Sequence, residues 1–192
     1  GISIDSRSLA AGDLFVALKG PKFDGHEFIT DAFAKNAAAA IVEEVSHTLA
    51  GQSSRLVVKD TSRALNDLSR FGRDRCEAVV VAITGSVGKT SLKSAVAEIL
   101  SHQGDTASSY GSYNNHIGVP LSLARMPAGT RYGVFELGMN HAGELHALTA
   151  LVRPYVVVIT NVEAAHLEFF ASVEEIADVK AEIFTGLMPG GI

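Results

Sequence analysis

Val79-Val-Val-Ala-Ile-Thr-Gly85-Ser86-Val87-Gly88-Lys89-Thr90-Ser91 is an apolar run that breaks at a glycine turn and passes straight into a helical pattern. Its uninterrupted apolar character predicts a strand over 78–83 buried on both faces, and such strands belong to parallel sheets covered by helices. The glycines let backbone N–H groups curl around phosphate oxygens, and the start of the next helix adds positive potential. Lys89 can reach β and γ phosphates, and Thr90 can ligate Mg²⁺. Gly85, Ser86, Val87, Gly88, Lys89, Thr90 and Ser91 therefore form a candidate nucleotide cradle. The common phosphate loop places a glycine five positions before Gly88, where this chain has Ile83, so the loop is two residues shorter at its start. A plain strand-to-helix turn would explain the glycines but not the Gly-Lys-Thr-Ser string that follows a buried strand.

Outward from this loop the rhythm is regular. Strands are predicted at 132–136 and 155–160, with helices at 89–102, 119–125, 143–151 and 173–184, which gives an α/β parallel sheet with helices on both faces. Residues 1–77 read as a separate small α/β unit, with strands at 2–4, 14–18, 39–42 and 56–58 and helices near 27–35 and 63–75. The expected domains are thus 1–77 and 78–192. Both ends of the chain are abrupt, so a piece of a longer enzyme is expected.

Composition narrows the class. Of 192 residues 47% are hydrophobic and 19% charged, which excludes disorder as the main state. Lys and Arg number 16 against 21 Asp and Glu, and the net charge of -5 opposes nucleic acid or an anionic membrane as a bulk partner. A phosphate-bearing ligand must be held by a local site. The single cysteine, Cys76, rules out an internal disulfide framework and fits a reducing compartment. No apolar run approaches the roughly 20 residues of a membrane span, and no signal-like start is present, so a cytoplasmic protein is expected.

In an open parallel sheet, ligands collect at the carboxyl ends of the strands. Glu136 ends one predicted strand, Thr160 and Asn161 end the next, and His166 lies just beyond, so these groups are expected to converge on the phosphate loop. A carboxylate and an imidazole there are candidate ligands for a second Mg²⁺. Asn114-Asn115-His116 reads as a polar loop opening a helix. On sequence alone Lys180, inside an amphipathic helical stretch, reads as a solvated face residue. His47, His102 and His146 are given no role.

The ordered strings Asp5-Ser-Arg7, Gly12-Asp-Leu-Phe-Val-Ala-Leu-Lys-Gly20, Asp24-Gly-His-Glu-Phe28, Thr84-Gly-Ser-Val-Gly-Lys-Thr-Ser91, Asn114-Asn-His-Ile-Gly-Val-Pro120, Glu136-Leu-Gly-Met-Asn140 and Thr160-Asn-Val-Glu-Ala-Ala-His-Leu-Glu168 together resemble the ATP-dependent Mur ligases of peptidoglycan synthesis. The match runs over essentially the whole chain, and Asn114-Asn115 and Glu136-Leu-Gly-Met-Asn140 most resemble the branch that adds a dipeptide. The family has three domains, and this chain resembles the N-terminal one and about the first half of the central ATPase domain. The resemblance implies that ATP phosphorylates the terminal carboxylate of UDP-N-acetylmuramoyl-tripeptide and that the amine of D-alanyl-D-alanine attacks the acyl phosphate. It implies catalytic roles for Lys89, Glu136, His166 and Lys180, with Thr90 on a first Mg²⁺ and Glu136 and His166 on a second. Lys180 matches a lysine that is carbamylated in some relatives. Ser6, Arg7, Asp24 and His26 would face the UDP-sugar, and Asn114 and Asn115 the tripeptide. A monomer is the family default. Open alternatives are the sister ligase that adds the third amino acid, diaminopimelate or lysine, a nucleotide-binding module without ligation, and a small-molecule kinase.

Overall fold

The computed structural model describes residues 1–21, 23–43, 54–164, 170 and 172–192, and the chain falls into two compact units, 1–68 and 69–192. The division lies inside helix α2, Thr61–Asp74, where the sequence pattern placed the change at 77/78.

In the first unit, β1 (Ile2–Ser3), β2 (Leu14–Val16), β3 (Ala39–Val42) and β4 (Arg55–Val57) form a parallel sheet in the order β1-β2-β3-β4. Leu14 is in register with Ala39 and Ile41 with Leu56. Phe15, Ala17, Ala40 and Val42 alternate onto one face and bury Ile29 and Ala32 of helix α1, Ile29–Ala34. The single helix expected over 27–35 is a 3-10 turn, Gly25–Phe28, followed by α1. The reason is local: Asp24 Oδ1 accepts the His26 N–H at 3.0 Å and starts the chain turning at Gly25.

The second unit is built on β5 (Val79–Thr84), β6 (Thr106–Ser108), β7 (Tyr132–Glu136) and β8 (Val156–Ile159), all parallel, in the order β6-β7-β5-β8. Along β5, Val81 and Ile83 face α3 (Lys89–Ser101), while Val80 and Ala82 face a larger core with residues of α4 (Gly118–Ala124), α5 (Glu144–Val152) and α6 (Val173–Ala181). Burial on both faces is why this strand carries no polar alternation, each large apolar side chain contributing about 1.5–3 kcal/mol. β6 escaped the sequence pattern because Thr106-Ala-Ser108 is a short, partly polar strand at the sheet edge that, among the described residues, pairs with β7 alone.

Two side chains lock the helices around this sheet. Arg73, buried near the end of α2, donates to the carbonyls of Val152, Arg153 and Cys76 at 2.8, 3.2 and 3.0 Å, so its cation closes the carboxyl end of α5. The stretch expected to be helical over 173–184 is α6 followed by a tighter 3-10 segment, Glu182–Gly186. Thr149 Oγ1 donates to Ile183 O at 2.9 Å, and a side chain at Gly186 would collide with the Thr149 backbone, so the last turn is drawn in against α5. Among the described residues no helix is long and apolar enough to cross a membrane.

Candidate active site

Gly85, Ser86, Val87 and Gly88 join β5 to α3. Gly88 has φ 83° and stands at the N-cap of α3 without a side-chain cap, which leaves the first helical N–H groups for a ligand. Gly85 has φ +143°, and a methyl there would collide with Thr160 Oγ1. Lys89 Nζ folds over its own loop, donating to Gly85 O at 2.7 Å and Ser86 O at 3.2 Å. Ser91 follows exposed on the first turn.

Glu136, at the carboxyl end of β7, is 1% exposed. Its Oε2 accepts the Thr90 hydroxyl at 2.7 Å and its Oε1 accepts Asn114 Nδ2 at 2.7 Å. The structure thus brings Glu136 to Thr90 of the loop, as the strand-end reading expected, and adds Asn114, which that reading did not include. A buried carboxylate beside a hydroxyl is a hard-oxygen donor pair, and Mg²⁺ takes few protein oxygens and completes its shell with water and phosphate. Thr90 and Glu136 therefore fit Mg²⁺. Among the described residues no cluster of three His, Cys, Asp or Glu groups could hold a metal alone. His166, expected to join them, lies outside the described residues. Asn115 is turned to a local task, its Oδ1 accepting the N–H groups of Ile117 and Gly118 at 3.1 and 2.8 Å ahead of α4.

A cavity of 520 Å³ opens beside this cluster. Gly85 and Lys89 border one side, Asn114, Asn115 and His116 another, and Gly138 to Glu144 a third, with Lys180 also in the wall. Lys180 corrects the solvated reading: it is 2% exposed, because it shares the inward face of α6 and its 3-10 extension with Ile176 and Ile183. Burial, aided by the Lys89 charge, holds its ammonium down to about pKa 8. Among the described residues neither Lys89 nor Lys180 has a carboxylate within ion-pair distance. Two cations in the wall of one cavity, neither ion-paired among the described residues, favour a multiply charged anion there, with Glu144 the carboxylate in the same wall.

The first unit holds the other expected site residues. Ser6 is buried, and Arg7 lies exposed against Asp5, its Nη2 at 2.6 Å and its Nε at 2.9 Å from the two carboxylate oxygens. That pairing holds Asp5 at a pKa of about 2. His26 Nδ1 sits 2.6 Å from Asp24 Oδ1, and Nε2 accepts the Glu43 N–H at 2.8 Å. Both ring nitrogens are thereby engaged within the unit, with the proton on Nδ1.

Residues 83–192 match the Mur ligase middle domain, and residues 1–73 match the Mur ligase family, catalytic domain. The chain belongs to the Mur ligase family. It is 45% identical over 191 residues to the UDP-N-acetylmuramoyl-tripeptide–D-alanyl-D-alanine ligase of Escherichia coli (strain K12), covering 100% of this chain and 42% of that protein. A crystal structure of MurF from Acinetobacter baumannii superposes with a TM-score of 0.88 at 38% identity, over 99% of this chain and 42% of its own. The MurF ligase of Thermotoga maritima, solved in complex with ADP, gives a TM-score of 0.82 at 32% identity, over 97% of this chain and 43% of its own. The chain therefore spans about two fifths of the length of the relatives it matches.

Three residues of this Mur ligase chain near the cavity were not among the sequence candidates. Lys93 is 4% exposed, and its Nζ donates to the carbonyls of Ser109 (2.9 Å) and Gly111. It ties α3 to the segment that leads into Asn114. The signal was present, since Lys93 lies four before Ala97 and seven before Leu100 on the inward side of α3. The other two, Thr160 and Asn161, were placed near the loop by topology but given no role. Thr160 Oγ1 donates to Val87 O at 2.7 Å, and Asn161 Oδ1 accepts the Val87 N–H at 3.0 Å.

Proposed function

We propose that this chain is the substrate- and ATP-binding portion of a ligase that adds D-alanyl-D-alanine to UDP-N-acetylmuramoyl-tripeptide in cytoplasmic peptidoglycan precursor synthesis. The observation that carries it is the placement of Lys89 and Lys180 in the wall of one cavity, neither with a carboxylate within ion-pair distance among the described residues, beside buried Glu136 and its partners Thr90 and Asn114. Identity to dipeptide-adding relatives over the full chain supports that branch over the sister enzyme.

The chemistry needs a carboxylate made electrophilic. An oxygen of the tripeptide's terminal carboxylate attacks the γ-phosphorus of ATP, ADP leaves with the electron pair, and an acyl phosphate forms. The deprotonated amine of D-alanyl-D-alanine then attacks the acyl carbon, and phosphate leaves. Gly85 to Ser91 form the phosphate loop, with the N–H groups from Gly88 onward turned to the phosphates, and Lys89 offsets the charge that spreads over the transferring group. Thr90 and Glu136 would hold Mg²⁺, which neutralises phosphate charge when bound. His166 is assigned to the same metal role by family resemblance. Asn114, fixed on Glu136, presents its amide beside the cavity and orients the reacting carboxylate, with Asn115 setting the start of α4 behind it. Lys180, with an amine that loses its proton near pH 8, supplies positive charge or, once carbamylated, an anionic metal ligand. Ser6, Arg7, Asp24 and His26 are assigned to the UDP-sugar, with His26 and Asp24 shaping the surface through their mutual bond.

Calorimetric titration of the complete enzyme with UDP-N-acetylmuramoyl-tripeptide and, in parallel, with the corresponding dipeptide tests the branch. Preference for the tripeptide is expected. Preference for the dipeptide would assign the chain to the sister enzyme instead.

A further inference from the structure

The phosphate loop is two residues shorter at its start than the common pattern, and the structure shows what stands in their place. Segment 160–163, leaving the carboxyl end of β8, is bonded along the first half of the loop. Asn161 O accepts the Ser86 N–H at 3.1 Å, and Asn161 Oδ1 accepts the Val87 N–H at 3.0 Å. Thr160 Oγ1 donates to Val87 O at 2.7 Å and lies 3.3 Å from Thr84 O. Ser86 Oγ closes the set with the Glu163 backbone, accepting its N–H at 2.9 Å and facing its carbonyl at 3.2 Å. Gly85 is glycine because Thr160 Oγ1 occupies the space its side chain would need.

We propose that Asn161 and Thr160 are positioning residues for the nucleotide. They brace the first half of the shortened loop from outside, so that the N–H groups from Gly88 onward face the phosphates. Two N–H groups that could turn to a phosphate are saturated by Asn161. The loop enters binding already ordered, and less conformational entropy is lost when ATP docks. This inference rests on the nucleotide-binding reading of the loop.

The test uses the complete enzyme, with Mg·ADP affinity by calorimetry and steady-state kinetics as readouts. Asn161→Ala is expected to weaken Mg·ADP about tenfold (about 1.4 kcal/mol) and raise KM for ATP by a similar factor. kcat and KM for the UDP-substrate should stay within about twofold, a split that a general loss of folding would not produce. Thr160→Val is expected to weaken ADP in the same direction, and Thr160→Ser, which keeps the hydroxyl, to restore it; this pair decides the matter if Asn161→Ala fails to fold. Unchanged affinity in both Asn161→Ala and Thr160→Val overturns the proposal. So does tighter binding, which would make Asn161 a competitor for the loop's donors. Lys89→Ala separates the two readings: if it too leaves ADP binding intact, the nucleotide-loop assignment itself fails, whereas loss there with no change at 160 and 161 removes only the bracing role.

Discussion

The two units handle charge in opposite ways. In residues 1–68 the charged side chains of the expected sugar-binding residues are matched to one another: Asp5 with Arg7, and Asp24 with His26 and Lys19. Around the cavity of residues 69–192, Lys89, Lys93, Lys180 and Glu136 meet only neutral dipoles or one another, and no opposite charge within ion-pair distance is found among the described residues. Burying a charge without a counter-ion is costly, and folding alone gives no reason to keep Lys93 and Lys180 buried. A paired set is complete in itself, while an unpaired set is completed by a ligand. The difference supports the proposed triphosphate site in the second unit.

Lys89→Ala attacks the unpaired set at its most exposed member and has the largest expected effect. Ligation by the complete enzyme should fall at least about 10²–10³-fold, the usual consequence of deleting a group that stabilises developing charge. Binding of the UDP-substrate, measured by calorimetry, should persist. Near-normal turnover would show that the unpaired cations are not a phosphate site.

Lys93→Met tests whether an unpaired cation can act at one remove. Its stability effect should be within about 1 kcal/mol, because removing a buried charge offsets the loss of two bonds, and the exposed Gly111 carbonyl can turn to water. KM for the UDP-substrate should rise several-fold, through Asn114, while KM for ATP changes little. Equal changes in both constants would mean that Lys93 only supports α3.

Lys93 and Lys180 also show where sequence reading stops. β5, α3, β7 and the convergence of Glu136 with Thr90 were legible, because continuous apolar runs and glycine turns are local signals. The buried lysines were not, since a cation in an amphipathic helix is normally solvated and only the full set of inward positions reveals otherwise. β6 was missed for the converse reason: an edge strand is held by backbone pairing, so Thr106 and Ser108 carry little apolar signature. The two compact units meet inside α2, across which the helix continues without any change of pattern.

Lys180→Met should separate function from stability. Burial lowers the pKa of the Lys180 ammonium to about 8 in the native protein, against 10.5 for an unperturbed lysine. Between these values the unfolded chain binds more protons, so the penalty from this group is full below pH 8 and fades as pH rises to 10.5. In CO₂-free buffer the Met variant should melt higher than the parent at pH 7, by a margin that shrinks over that range, while ligation is impaired. A lower melting temperature at pH 7 would mean that Lys180 is stabilised by a partner.

The paired set of the first unit predicts the smallest effect, and Asp5→Asn measures it. Asn keeps an Oδ1 that can accept the Arg7 N–H, bonded at 2.9 Å in the parent, and gives up the charge and the Oδ2 acceptor that face an exposed guanidinium. Asp5 is held at about 2 against 3.8 for the free side chain, so its charge contribution is present above 3.8 and is lost as pH falls toward 2. Screening by water limits it to about 0.5 kcal/mol or less at neutral pH. Thermal melts of parent and variant should therefore differ slightly at pH 7 and converge near pH 2. A loss of several kcal/mol would make the Asp5–Arg7 pair a structural keystone, and the contrast between a self-satisfied unit and a ligand-completed one would have to be redrawn around it.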